Sequence, residues 1–241
     1  MVVVSHERRF IFLKTRKTAG TSIEMLLEGK IAPAGHEVVE VTPTIEWSNA
    51  IIGARSWWKD HPDEVPTNGW REHLPAKHVR ELVGNETWDR YFRFTSVRNP
   101  FDRAVSYFFW QRQLDGLEPI ADFDTARRAF HEFVASPKHK TDRGVVHIKG
   151  QLVVQDAVRF EHLEEDLDRV GKKIGLELKA SELPRTKDST PKIPGRHISE
   201  YYDRSTTDAV LDQLSWVFDH HDYSRHPEDA GRPPTRPAAV N

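Results

Sequence analysis

No cysteine occurs anywhere in the 241 residues, which excludes disulfides, cysteine-liganded zinc and thiol catalysis. Long apolar runs are missing as well. No segment approaches the ~18 uncharged apolar residues of a membrane helix. The start, Val2-Val3-Val4-Ser5-His6-Glu7, is apolar for three residues only, short of the ~7–15 that a secretory signal needs. A cytoplasmic location without a membrane partner is the expectation. Charge of one sign is absent too: 35 Lys and Arg face 37 Asp and Glu, for a net charge of -2. That balance leaves no global footprint for nucleic acid, so any anion site must be built locally.

What is present suits a globular chain. Hydrophobic residues make up 37% and charged residues 30%, enough to bury a core under a well-solvated surface. The length stays within the ~250 residues that one core supports. We therefore expect a single domain over residues 1–225, with a disordered tail over 226–241 that carries Pro227, Pro233, Pro234 and Pro237.

Strand and helix signals alternate along the chain. Arg9–Leu13 reads as a buried strand and Thr21–Leu27 opens a helix, with Thr21 and Glu24 at capping-box spacing. Glu37–Val41 is a weaker strand, Pro75–Val83 a short helix, and Tyr91–Val97 a second good strand. Asn99 and Pro100 then suit an N-cap and a first helical position, followed by the apolar stripe Phe101, Ala104, Val105 and Phe108. Further helices are expected at 122–134, 162–174 and 206–218, with a strand at Ala157–Phe160. This alternation predicts an α/β fold: a P-loop-like central parallel β-sheet flanked by helices on both faces.

Two junctions in this pattern suit anions. Between the first strand and helix lies Lys14-Thr15-Arg16-Lys17-Thr18-Ala19-Gly20-Thr21-Ser22. There, backbone N–H groups meet the positive end of the helix dipole. Gly20 permits close backbone approach, Lys17 adds a mobile charge, and Thr18, Thr21 and Ser22 add hydroxyl donors. It is not a Walker A loop, because Lys17 precedes the glycine by three residues instead of following one. At the second junction Arg98 ends a strand, and Ser106 lies two turns into the next helix. A guanidinium can grip a phosphate with two parallel hydrogen bonds, and ligands of parallel sheets bind beyond the carboxyl ends of the strands.

Taken together, Phe12–Ser22 resembles the 5′-phosphosulfate loop of sulfotransferases that use 3′-phosphoadenosine-5′-phosphosulfate (PAPS), in the branch that includes carbohydrate sulfotransferases. Phe94–Tyr107 is similar to the 3′-phosphate motif of that family, with matching Arg-to-Ser spacing. Fainter likeness continues through Arg159–Leu163, Thr186–Ser189 and Tyr201-Tyr202, so the resemblance spans about residues 9–223. Lys14-Thr15-Arg16 departs from the His-Ile-Pro-like approach of many relatives, and Glu161-His162 from a more usual Glu-Asp.

The resemblance implies an enzyme that moves a sulfuryl group from PAPS to a hydroxyl or amine of a small-molecule or carbohydrate acceptor, releasing 3′-phosphoadenosine-5′-phosphate (PAP) without a metal. Arg16, Lys17, Thr18, Ala19, Gly20, Thr21 and Ser22 would hold the 5′ end, Arg98 and Ser106 the 3′-phosphate, and Lys187 and Ser189 the nucleotide. Lys17 would act on the bridging oxygen. His73, just before a Pro-Ala helix start, would be the general base, with His78 next. The tryptophan-bearing segment 42–72 could line an acceptor pocket or simply pack on the sheet, and Lys138–Arg143 reads as a solvated basic loop. Two other readings stay open: a nucleotide kinase-like phosphotransferase, against which the missing Gly-Lys-Ser/Thr order argues, and a non-catalytic module for nucleotides or sulfated ligands.

Overall fold

The structure is a computed structural model and describes residues 2–57, 61, 68–184, 186 and 193–231. In chain order the elements begin with β1 (Val2–Ser5), β2 (Phe10–Leu13), α1 (Gly20–Ile31), β3 (Ile45–Trp47) and β4 (Ala50–Ile52). Then come α2 (Ala76–Val83), α3 (Asn85–Arg90), β5 (Phe92–Val97), α4 (Pro100–Leu114) and α5 (Phe123–Ala135). The chain ends with α6 (Arg143–Val146), β6 (His147–Ile148), β7 (Gln151–Leu152), β8 (Asp156–Arg159), α7 (Leu163–Ile174), α8 (Arg204–Gln213) and α9 (Ser215–His220). Two compact units emerge, one of residues 1–97 and 142–186, the other of residues 98–141 and 187–241.

The first unit holds the main sheet, ordered β3-β4-β1-β2-β5-β8. The expected α/β architecture is there, and its parallel part is β2-β5-β8. β1, β4 and β3 extend it with antiparallel pairing. Connection length explains the difference. Four residues join β1 to β2 and two join β3 to β4, whereas a parallel crossover needs about a dozen. All eight residues of β1 and β2 are buried, so both sheet faces are covered there. On one face Val3, Phe10, Phe12, Phe94 and Val158 pack with Ile23, Leu26, Leu27 and Ile31 of α1 and with Leu167, Val170 and Ile174 of α7.

Some local expectations change. Glu37–Val41 is not a strand. Its carbonyls at Val39 and Glu40 accept from the buried Arg55 guanidinium instead of joining a ladder. Within the segment 42–72, residues 45–52 form a hairpin built into the sheet and Trp70 is buried, while 58–60 and 62–67 lie outside the described residues.

The second unit is helical. Asn99 caps α4 as expected, its Oδ1 accepting from Phe101 N at 3.0 Å and Asp102 N at 3.4 Å. Tyr202 ties its hydroxyl to the Phe101 carbonyl at 2.8 Å and sets its ring edge-on to Phe101 and Phe130. The single helix expected over 206–218 is two, α8 and α9, meeting at Leu214. Within the stretch expected to be disordered, Pro227–Asp229 form a 3-10 turn with Pro227 and Ala230 buried, and 232–241 lie outside the described residues. No described helix is long and apolar enough to cross a membrane.

Candidate active site

The loop from Lys14 to Ala19 leaves β2 and enters α1 at Gly20. Its shape comes from side chains turned inward. Thr15 donates to the Ser96 carbonyl at 2.5 Å. Thr18 meets Ser96 Oγ at 2.7 Å and Thr15 Oγ1 at 3.0 Å, and Thr95 donates to the Leu13 carbonyl at 2.5 Å. This hydroxyl lattice pins the loop to the carboxyl end of β5. Thr18 was expected to offer its hydroxyl to an anion, but it is 1% exposed and that hydroxyl is engaged within the lattice. Thr21 is likewise buried.

The helix start also differs from the capping box read in the sequence. α1 begins at Gly20, the N-cap is Ala19, and no side chain caps it. Thr21 therefore sits inside the first turn, and Glu24 points into the core. Lys14 Nζ reaches Glu24 Oε2 at 3.2 Å with both side chains buried. Arg55 joins them, 3.6 Å from Glu24 and 2.6 Å from Glu28, and His36 meets Glu28 at 2.8 Å. Burial pushes the Glu24 carboxyl above its ordinary range, against the pull of Lys14 and Arg55. None of this chain of charges was legible in the sequence, where Lys14 looked like part of a polar turn. Gly20 has a packing reason as well: a Cβ there would lie 2.7 Å from Lys14 Cγ and 3.3 Å from the Thr15 carbonyl oxygen.

What remains for a ligand is the uncapped end of α1. The first N–H groups of a helix have no intrahelical partner, and the N-cap residue, Ala19, makes no side-chain bond to them. Lys17 and Ala19 both have φ 61°. Left-handed residues of this kind turn successive N–H groups towards one anion, and holding them costs about 1–3 kcal/mol each, a cost typical of functional loops. Lys17 and Ser22 are partly exposed, and Ser22 Oγ meets Thr186 Oγ1 at 3.0 Å. Arg16 is different. Its backbone N–H donates to Asp142 Oδ2 at 2.7 Å, and its guanidinium is paired with the same carboxylate. Asp142 is buried and left-handed, with φ 55°, so this part of Lys138–Arg143 is a clamp on the loop and not a solvated basic turn.

His73 is brought against this loop. Its backbone is left-handed, φ 50°, and its Nδ1 lies 3.1 Å from the Lys14 carbonyl oxygen. A carbonyl only accepts, so Nδ1 carries the proton and Nε2 keeps its lone pair. Burial of the ring, and then the positive charges of Arg16 and Lys14, hold its pKa well below the ordinary histidine value. The residue keeps partial exposure. His78 lies exposed on α2.

In the second unit Arg98 and Ser106 lie within reach of one another. Arg98 Nε and Nη2 hold Asp102 Oδ2 at 2.7 and 2.5 Å, which turns Nη1 to Ser106 Oγ at 3.5 Å. Asp102, one turn into α4, was missed by reading Arg98 and Ser106 alone; its signal is the i, i+4 spacing from Arg98. Lys187 and Ser189 lie outside the described residues.

Comparison with known proteins gives a consistent picture. An uncharacterized protein of Archaeoglobus fulgidus is 32% identical over 113 residues, spanning 43% of this chain and 83% of that protein. No solved structure matches the chain. Residues 1–143 match the model of the sulfotransferase family, and the match takes in the Lys17 loop, His73, Arg98 and Ser106. The chain belongs to the sulfotransferase family.

Proposed function

We propose that the chain transfers a sulfuryl group from PAPS to a hydroxyl or amine of a small-molecule or carbohydrate acceptor, with His73 as general base. One observation carries this reading: the loop that bears Lys17 and leads into the uncapped first turn of α1 also holds the ring of His73. When bound, PAPS supplies the sulfuryl group and a phosphate leaving group. The first-turn N–H groups of α1 and Lys17 bind the 5′ end and neutralise the charge that develops as the S–O bond to phosphate breaks. His73 Nε2 takes the acceptor proton as the new O–S or N–S bond forms. Arg98, oriented by Asp102, and Ser106 hold the 3′-phosphate, the group that separates PAPS from ATP.

The test is product formation. The purified chain is incubated with PAPS and a panel of alcohols, phenols, amines and sugars, and PAP and sulfated product are followed by mass spectrometry. Transfer to at least one acceptor class is expected, with a fall of at least a hundredfold in folded Lys17→Ala. Tight PAP binding without product from any acceptor would indicate a binding module, and ATP-dependent, magnesium-dependent phosphoryl transfer would indicate a kinase. Either result overturns the proposal.

A further inference from the structure

The buried ion pair beneath the loop has no place in the transfer chemistry, yet it is costly to keep. Two charges removed from water lose several kcal/mol of hydration each, and an apolar pair of the same volume is often no less stable. Lys14 and Glu24 are nevertheless enclosed, with side-chain exposures of 4% and 0%. They are braced on the far side by Arg55, itself fully buried. Gly20 leaves the room that the Lys14 stem fills. Lys14 is thus held along its whole side chain, and its main-chain carbonyl is the group that receives His73 Nδ1–H at 3.1 Å. His73 sits on a separate segment, 59 residues downstream and in a strained left-handed conformation. Its ring is oriented by this hydrogen bond.

We propose that Lys14 and Glu24 are positioning residues for His73: their buried ion pair fixes the Lys14 carbonyl, which selects the imidazole tautomer that leaves Nε2 unprotonated. The inference rests on the reading of His73 as the base, but the tautomer is measurable without any turnover. Free imidazole side chains favour the proton on Nε2, so the anchored tautomer has to be imposed. A Lys14 carbonyl that shifts by a few tenths of an ångström weakens the bond that imposes it.

The experiment uses the full chain labelled with ¹⁵N at its thirteen histidines, with His73 assigned by its loss in His73→Asn. In the parent protein the ring ¹⁵N shifts are expected to report protonated Nδ1 and unprotonated Nε2 at neutral pH. In Lys14→Met/Glu24→Gln, which removes both charges together, His73 is expected to lose that bias. Turnover should fall at least tenfold, while PAP affinity stays within about twofold. Should the double variant not fold, Glu24→Asp, which keeps the charge and withdraws it by one methylene, is read the same way. A folded variant with the parent tautomer and turnover would overturn the proposal. Lost PAP affinity with an unchanged tautomer would also overturn it, because the pair would then serve the anion loop and not the base. Absence of turnover in the parent protein would sink the transfer reading and leave the tautomer comparison intact.

Discussion

Gly20→Ala adds one methyl group at the junction of β2 and α1, where the new Cβ lies 2.7 Å from Lys14 Cγ. Lys14 cannot swing aside, since its stem is buried and its ammonium is held by Glu24, and the next neighbour is the Thr15 carbonyl at 3.3 Å. Overpacking of this kind costs about 1–3 kcal/mol. Against it stands the helix preference for alanine over glycine, at most about 1 kcal/mol and less in a first turn. The net expectation is a loss of about 1–2 kcal/mol, which for a chain of this size lowers the thermal midpoint by about 3–6 °C. Gly29→Ala is the control. It lies on the exposed side of the same helix, and its Cβ would meet only Val38 Cγ2, at 3.7 Å, so alanine should stabilise by about 0.5–1 kcal/mol. Both midpoints are read by circular dichroism under identical conditions. A Gly20→Ala protein at least as stable as the parent, with Gly29→Ala shifted upward as expected, would refute the packing account of the loop.

Two other outcomes follow from the charges. Because burial and the nearby cations depress the His73 pKa, the acid limb of kcat/KM should lie below the ~6.5 of an ordinary histidine, and a limb at or above that value would remove His73 as the base. The stability sign agrees: a depressed folded-state value means that His73's contribution is complete above ~6.5 and is lost as the pH falls through the folded-state pKa, so the parent minus His73→Asn stability difference should shrink on acidification. Asp166, buried at the start of α7, accepts from Arg159 N at 2.8 Å, Nε at 2.7 Å and Nη2 at 2.8 Å. Burial raises its pKa, but these bonds and that of Arg169 more than offset this and hold it below the usual carboxylate value. Asp166→Ala should cost about 2–3 kcal/mol in urea unfolding, below the ~3–5 of a fully buried broken pair because both arginines are partly exposed, and a loss under about 0.5 kcal/mol would contradict this.

The parallel part of the sheet and the two strand-to-helix junctions were legible because each is written in local sequence: Phe10–Leu13 is an apolar run, Phe92–Val97 is rich in aromatic and β-branched residues, and Asn99-Pro100 is a helix start in two residues. The antiparallel half was not, since Val2–Ser5 gives too short a run to stand out and its pairing depends on the turn at 6–9. In the candidate site, Arg98 and Ser106 are close in sequence, at the junction of β5 and α4 and two turns into that helix. Arg16–Asp142 and the Lys14–Glu24–Arg55 chain join residues 126 and up to 41 positions apart. Only packing brings such groups together, and a charged residue in a sequence looks solvated until its partner is seen.

The loop Lys14–Ser22 therefore divides into two sets that its composition does not separate. Lys14, Thr15, Arg16, Thr18 and Gly20 face the protein, and their hydrogen bonds, ion pairs and close contacts give the loop its path. Lys17, Ser22 and the uncapped backbone of α1 keep exposure. The hydroxyls of Thr15 and Thr18 and the charge of Arg16 look like ligand donors in the sequence, but their removal should act through loop geometry, whereas that of Lys14 should act through the carbonyl that receives His73. The second set can meet an anion directly. A pre-formed cradle needs both, because backbone donors stabilise developing charge without reorganising only when the chain carrying them is already held. The number of polar side chains in such a loop is then a measure of how firmly it is held, not of how many of them touch the ligand.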